Sequence, residues 1–302
     1  MSFKLNVLML AVMVILFCPI MADLHAEFIC GDADGGGFVD IDDAVYLIEH
    51  LFAGGPEPDP VESGDADLSG EVDIDDVVYL IDYLFGNGPA PCIGTVTDVD
   101  GNVYRTIKIG YQWWMLDNLK TVHYRNGDPI YTEIDGGTWC DLTTGAYCDY
   151  DNDPANSEIY GRLYNWYAVD DSRNIAPEGW HVSTDDDWKQ LEIYLGMDPD
   201  VVDKRGWLGT DEGGKLKEAG TTHWLPPNES ATNASGFCAL PAGARKSCND
   251  GRFLDMTIYA SFWTSTADFE NPWVYWLKYS RPNIEHHTEP KEHGFSIRCV
   301  KD

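Results

Sequence analysis

The sequence predicts a multidomain chain: a small all-α unit made of two calcium-loop/helix repeats, followed by a larger α+β domain. Three observations predict it. Residues 31–58 read GDADGGGFVDIDDAVYLIEHLFAGGPEP and residues 64–91 read GDADLSGEVDIDDVVYLIDYLFGNGPAP, two copies in register at an offset of 33. Residues 27–95 hold 17 Asp and Glu and no Lys or Arg, whereas all 11 Trp lie beyond them. Past residue 95 the helical period gives way to short alternating runs broken by Gly, Asn and Asp. The chain accordingly divides into a leader (1–26), a repeat domain (27–93) and an aromatic domain (94–302).

The net charge of −31 argues against nucleic acid and anionic membrane surfaces as partners, and favours cations or a partner with a basic face. At the start, Lys4 supplies a positive region and Val7 to Phe17 is an unbroken apolar run, too short to span a bilayer. Leu24-His25-Ala26 then offers a cleavage site, so residues 1–26 read as a secretory signal and the mature chain as extracellular or cell-surface. Lipidation at Cys18 would want a small residue before it, and Phe17 is large. No other stretch is long and apolar enough for a membrane span. Removing the leader leaves seven cysteines in an oxidising compartment, an odd number that leaves one thiol free or paired between chains.

The repeats carry the sharpest chemistry. In the second copy Asp65, Asp67, Ser69, Glu71, Asp73 and Asp76 occupy positions 1, 3, 5, 7, 9 and 12 of an EF-hand-type loop, with Gly70 at the turn position 6. Ca²⁺ takes six to eight hard oxygens, alternating residues converge on one centre, and position 7 contributes its carbonyl. The first copy supplies Asp32, Asp34, Gly36, Phe38, Asp40 and Asp43. Gly36 has no side-chain oxygen, so the first of about two ions is expected to bind more weakly. The helices that follow, 44–52 and 77–85, place Val45, Ile48 and Phe52, and Val78, Ile81 and Phe85, on one face each. These faces are expected to pack together, because neither unit is large enough to fold alone.

Residues 31–91, loop then helix twice over, closely resemble a type I dockerin, a calcium module that docks secreted proteins onto cohesins. The resemblance implies a cohesin-like partner, read by positions 10 and 11 of each loop, here Ile41-Asp42 and Ile74-Asp75. That family often has Ser or Thr there and basic residues further along the helix; this chain has neither, which departs from the usual cohesin partner. Cys30 and Cys92 bracket the repeats, and a bridge between them would close a long loop, worth about 4 kcal/mol in the chain-entropy account.

In the aromatic domain Thr95–Val99, an Asp100-Gly101 turn and Val103–Ile109 read as a hairpin, and Tyr111–Met115 as a further strand. Residues 160–167 read as a short aromatic helix. Ser183 or Thr184 caps a helix running to Leu195 that buries Trp188, Leu191 and Leu195. Val274–Tyr279 and Phe295–Val300 alternate like strands. Several blocks, in order VTDVDGNVYRTIKIG (96–110), QWWMLDNLKT (112–121), YGRLYNWYAV (160–169), GWHVSTDDDWKQLE (179–192), GGKLKEAGTTHW (213–224), FWTSTA (262–267) and HGFSIRCVKD (293–302), resemble the Fibrobacter succinogenes major paralogous domain. That family has no established activity. Its similarity to the formylglycine-generating-enzyme and C-type-lectin-like fold implies an α+β architecture. Many members carry a Cys ahead of the Pro-x-Gly-Trp segment, where this chain has Ala176. Cys299 would thereby lose its partner, leaving Cys140–Cys148 and Cys238–Cys248 as local bridges.

No reactive Cys pair and no Ser/His/Asp signature marks an enzyme, so no catalytic residue is assigned. Glu285, His286, His287, Glu289, Glu292 and His293 form a polar cluster that reads as a solvated run rather than a transition-metal site. Asp149, Asp151 and Asp153 alternate like a calcium loop but lack its Gly and its final carboxylate. Tryptophans stack on sugars, which makes carbohydrate a candidate ligand. Three readings follow: a secreted, non-catalytic calcium-binding surface or scaffold protein with a docking module and a ligand-binding domain whose candidate ligand is polysaccharide; a dockerin-bearing polysaccharide-active enzyme; and a calcium-stiffened spacer.

Overall fold

The computed structural model describes residues 29–86, 88, 91–247 and 250–302; the leader and Cys248 lie outside them. In the repeat unit, α1 (Ile41–Ile48) and α2 (Ile74–Ile81) start in the same way. Asp40 and Asp73 cap the helices, and Asp43 and Asp76 reach back to the cap amides at 2.7 and 2.8 Å, a reciprocal capping box. Each helix passes into a π-helical turn, Glu49–Ala53 and Asp82–Gly86, and Gly54 at φ +73° ends the first. The Cys30–Cys92 disulfide closes the unit, with a Cα–Cα distance of 6.1 Å.

The core between the helices is Ala33, Ala44, Leu47, Ala66, Val77 and Leu80. This corrects the expected packing face. Val45, Ile48 and Phe52 are exposed by 46, 41 and 69 %, and Val78, Ile81 and Phe85 by 59, 43 and 71 %. The capping carboxylates explain the rotation. Asp43 and Asp76 must point inward, toward the loops, to bond the amides of Asp34 and Asp67. At 3.6 residues per turn, residues 44 and 47 then follow Asp43 inward and residues 41, 45, 48 and 52 fall on the opposite side.

The larger domain runs β1 (Ile93–Thr97), β2 (Val103–Ile109), β3 (Gln112–Met115), β4 (Tyr131–Thr132), α3 (Gly136–Cys140), β5 (Ala146–Cys148), α4 (Pro154–Tyr160), β6 (Leu163–Tyr164) and α5 (Trp166–Val169). It continues with β7 (Trp180–Val182), α6 (Asp185–Tyr194), β8 (Gly206–Leu208), α7 (Glu212–Leu216), β9 (Ala244–Lys246), β10 (Arg252–Leu254), β11 (Tyr259–Asp268), β12 (Asn271–Lys278), β13 (Ile284–Thr288) and β14 (Cys299–Lys301). The sheets are β1-β2-β3-β14-β7, β11-β12-β13-β8, β4-β5-β6 and the β9–β10 hairpin. The mix is α+β. The expected first hairpin forms with Val96 opposite Tyr104, and its Asp98 accepts from the amides of Asp100 and Asn102 at 2.9 Å each.

Helix α6 is capped by Thr184, with Asp187 completing the box, and it buries Trp188, Leu191 and Leu195 as expected. Trp188 lies at the centre of one core, stacked on Tyr275 at 4.6 Å and edge-on to Trp114 at 5.3 Å. A second core gathers Met115, Trp166, Trp180, Trp263, Val274, Phe295 and Ile297 on the other side of the same strands. The expected helix over 160–167 is corrected: α4 ends at Tyr160, because Gly161 turns at φ +75° against Asn118. A Cβ there would meet the Asn118 Cβ at 2.6 Å. The strand expected over 295–300 is regular only at β14, its earlier residues making isolated bridges to Tyr164 and Phe262.

Long connections bury main-chain carbonyls that no ladder pairs, and buried cations satisfy them. Arg298, 1 % exposed, donates to the carbonyls of Met115, Phe237 and Cys238 and to Asn118 Oδ1. Arg245, fully buried, donates to Glu133, Ile134 and Gly251. Lys217, also fully buried, donates to Glu229, Lys278 and Arg281 at 2.9, 3.1 and 2.9 Å, and burial pulls its pKa down to about 8.

Replacing Lys217 with Met leaves three carbonyls without a donor. The expected loss is roughly 3 kcal/mol or more in urea unfolding; a change below about 1 kcal/mol would refute this role. A second prediction concerns Glu192, which is fully buried with both oxygens unpartnered. Burial, with the charges of Asp185 and Glu212 adding, pushes its carboxyl up to about 8. The folded state then keeps a proton that the unfolded chain releases at lower pH, so stability falls as pH rises toward 8 and levels off above it. Glu192→Gln is expected to remove that slope and raise the melting temperature at pH 8. Parallel melting curves for variant and parent between pH 5 and 8 contradict it.

Candidate metal centre

Each repeat folds its loop so that the carboxylates at positions 1, 3 and 12 converge. Asp32, Asp34 and Asp43 present ligand oxygens within 4.8 Å of one another, and Asp65, Asp67 and Asp76 do the same. Main-chain amides build the cradle. Gly37 N donates to Asp32 Oδ2 at 2.9 Å and Gly70 N to Asp65 Oδ2 at 3.0 Å. Gly36 N donates to Asp34 Oδ1 at 2.7 Å and Ser69 N to Asp67 Oδ1 at 2.8 Å. Gly37 and Gly70 both turn at φ +91°, a conformation that only glycine adopts without strain.

The cradle leaves one oxygen unpaired in each loop. Asp32 Oδ1 and Asp65 Oδ1 are buried without a hydrogen-bond partner, while their Oδ2 atoms are satisfied. Asp43 and Asp76 are 1 and 0 % exposed. Burial raises the carboxyls of Asp43 and Asp65 and pushes Asp76 up to about 6, with the neighbouring Asp67 charge adding at Asp76. Converging carboxylates that repel one another, with one buried oxygen in each loop lacking a donor, fit a hard divalent cation, which would supply the missing positive charge.

The other expected ligands sit differently. Asp40 and Asp73, at position 9, are spent as helix caps, which is compatible with reaching an ion through water. Ser69 Oγ is turned to the main chain of Glu71, at 3.1 Å from its carbonyl, and Gly36 brings no oxygen of its own. Phe38 is 77 % exposed, so its side chain has no part in the loop. The pairs Ile41-Asp42 and Ile74-Asp75 are exposed at the first turn of each helix.

The Cys140–Cys148 bridge expected in the larger domain is corrected. Cys140 and Cys148 are free thiols: Cys148 is buried on β5, and Cys140 Sγ lies 2.8 Å from the Ser247 carbonyl. Cys238 is free, and its expected partner Cys248 lies outside the described residues. Cys299 is a free thiol in the core.

The polar run 285–293 is divided by the fold. His286, 1 % exposed, bonds Asp185 at 2.8 Å and packs on Trp273. Glu292 accepts from Tyr167 at 2.8 Å. His287, Glu289 and His293 converge, with the two Nε2 atoms 3.3 and 3.2 Å from the Glu289 carboxylate. Asp149, Asp151 and Asp153 do not converge: Asp149 pairs with Arg162 at 3.2 Å, and Asp153 caps α4. Among the described residues the two Asp trios of the repeats are the groups close enough to share a metal. Ser247, whose hydroxyl meets His293, carried no signal in the sequence, because the fold alone brings it there.

Chelation with EDTA is expected to lower the melting temperature of the chain from residue 27 onward. Asp76→Ala should weaken calcium binding in calorimetry more than Asp43→Ala, since the second loop has the fuller ligand set. Equal binding by both variants and the parent sinks the assignment of these oxygens.

A family model described as the Fibrobacter succinogenes major domain matches residues 107–301, well over half of the 302-residue chain. No curated protein and no solved structure matches. The match begins within β2 and ends at the last residue of β14, so it takes in every strand after β2 and leaves β1 and the core residue Tyr104 outside. The chain belongs to the Fibrobacter succinogenes major domain family.

Proposed function

We propose that this is a secreted, calcium-dependent docking protein, in which the repeat unit holds about two Ca²⁺ ions and a protein partner, and the larger domain binds a ligand of the polysaccharide class. The observation that carries the reading is the pair of matching Asp trios, each with a buried oxygen that lacks a donor. The resemblance of residues 31–91 to a type I dockerin supports it. Export is supported by the leader-like first residues and by the Cys30–Cys92 disulfide, which suits an oxidising compartment. No described helix is long and apolar enough to cross a membrane.

The docking part rests on the outward helix faces. Ile41, Val45, Ile48 and Phe52, and their counterparts Ile74, Val78, Ile81 and Phe85, are apolar and each more than 40 % exposed. Asp42, Asp75 and Asp82 flank them, and residues 27–95 carry no Lys or Arg, so a cohesin-like partner with a basic rim is the fit. Calcium would hold the loops, and through the capping carboxylates it would fix which helix face turns outward.

Calcium titration calorimetry on the chain from residue 27 onward is expected to give a stoichiometry near two. Binding to a panel of cohesin modules should need calcium and fail in an Ile41→Asp, Ile74→Asp double variant. Calcium uptake with no cohesin bound would instead favour a calcium-stiffened spacer.

A further inference from the structure

We propose that Ser247, His293 and Glu289 form a nucleophile, base and orienting carboxylate for the hydrolysis of an ester. The strands create the meeting. Arg245 and Gly294 exchange main-chain hydrogen bonds at 2.9 and 2.7 Å, which sets Ser247, just past the end of β9, beside His293. Ser247 Oγ lies 2.9 Å from His293 Nδ1, and His293 Nε2 lies 3.2 Å from Glu289 Oε2.

The tautomer is set by the main chain. The Ser247 amide also donates to Nδ1, at 3.1 Å, so that nitrogen keeps its lone pair toward the serine and the ring hydrogen sits on Nε2, facing Glu289. The ring is turned relative to the common serine-hydrolase arrangement, but either nitrogen can serve as the base. His293 is 2 % exposed, whereas Ser247 is partly open to solvent, so a substrate would meet the hydroxyl first. Lys246 and His287 both contact Glu289 Oε1, at 3.2 and 3.3 Å, which leaves Oε2 to His293. Burial raises the Glu289 carboxyl, but the hydrogen bonds from His287 and His293 and the Lys246 charge outweigh it and keep the group ionised.

The chemistry closes with water as the only co-reactant. Ser247 Oγ bonds to the ester carbonyl carbon as its proton moves to Nδ1, which gives up the hydrogen bond it accepts from the Ser247 amide. The bond to the leaving alcohol then breaks, and the alcohol departs with that proton. Water, deprotonated by the same nitrogen, cleaves the acyl-serine to a carboxylic acid and restores the hydroxyl. Glu289 orients the ring and stabilises its cationic form. This activity is independent of the docking reading, since none of the three residues belongs to the repeats.

A fluorophosphonate probe on the chain from residue 27 onward is expected to label Ser247, mapped by peptide mass spectrometry. Labelling should vanish in Ser247→Ala and slow by at least about 100-fold in His293→Gln and measurably in Glu289→Gln. p-Nitrophenyl acetate turnover should fall in parallel. Ser247→Ala removes one hydroxyl from a half-buried residue, and its melting curve reports whether the fold survives. Two results overturn the proposal: no adduct at Ser247 in the folded parent, or labelling as fast in urea-unfolded protein as in folded protein.

Discussion

A protein domain with more connection than regular element must find donors for its interior carbonyls, and here three buried cations supply them. Arg298, Arg245 and Lys217 each bind main-chain oxygens from separate segments. Arg298 joins the end of β3 to the 237–238 loop, and Lys217 joins the loop at 229 to the turn after β12. Burying a charge is costly unless it is fully hydrogen-bonded, so these contacts specify one arrangement of the loops. The two aromatic cores fill the space that arrangement leaves.

The repeat unit is governed by a different demand. Its carboxylates serve the loop and the helix at once, because Asp43 and Asp76 both receive loop amides and close the helix caps. That double duty fixes the rotation of each helix. It places Ala44, Leu47, Val77 and Leu80 on the inner face and turns Ile48, Phe52, Ile81 and Phe85 to solvent. The convergence of the loop carboxylates and the outward face of each helix therefore depend on the same two residues.

Much of this was legible in the sequence. The in-register duplication located both Asp trios, because ligand spacing is a local property. The Asp-Gly hairpin, the Thr184 cap and the Trp188 stripe were local too. The inward helix face was misread because Ile48, Phe52, Ile81 and Phe85 make as apolar a stripe as Ala44, Leu47, Val77 and Leu80, and hydrophobicity alone does not choose between the two faces. The helix over 160–167 was misread because its aromatics suggested one amphipathic segment, and the backbone crowding at Gly161 comes from Asn118, distant in sequence. Cys140 and Cys148 are close along the chain, but β5 buries one of them in the core.

By itself the sequence determined the loop chemistry, the element boundaries with local caps and turns, and membership of a domain family, since these depend on residues a few positions apart. Only the tertiary structure decided which helix face is outward, which carbonyls the buried cations hold, and that Ser247, Glu289 and His293 meet. Those outcomes depend on strand pairings such as Arg245 with Gly294, 49 residues apart, and no local pattern encodes such a pairing.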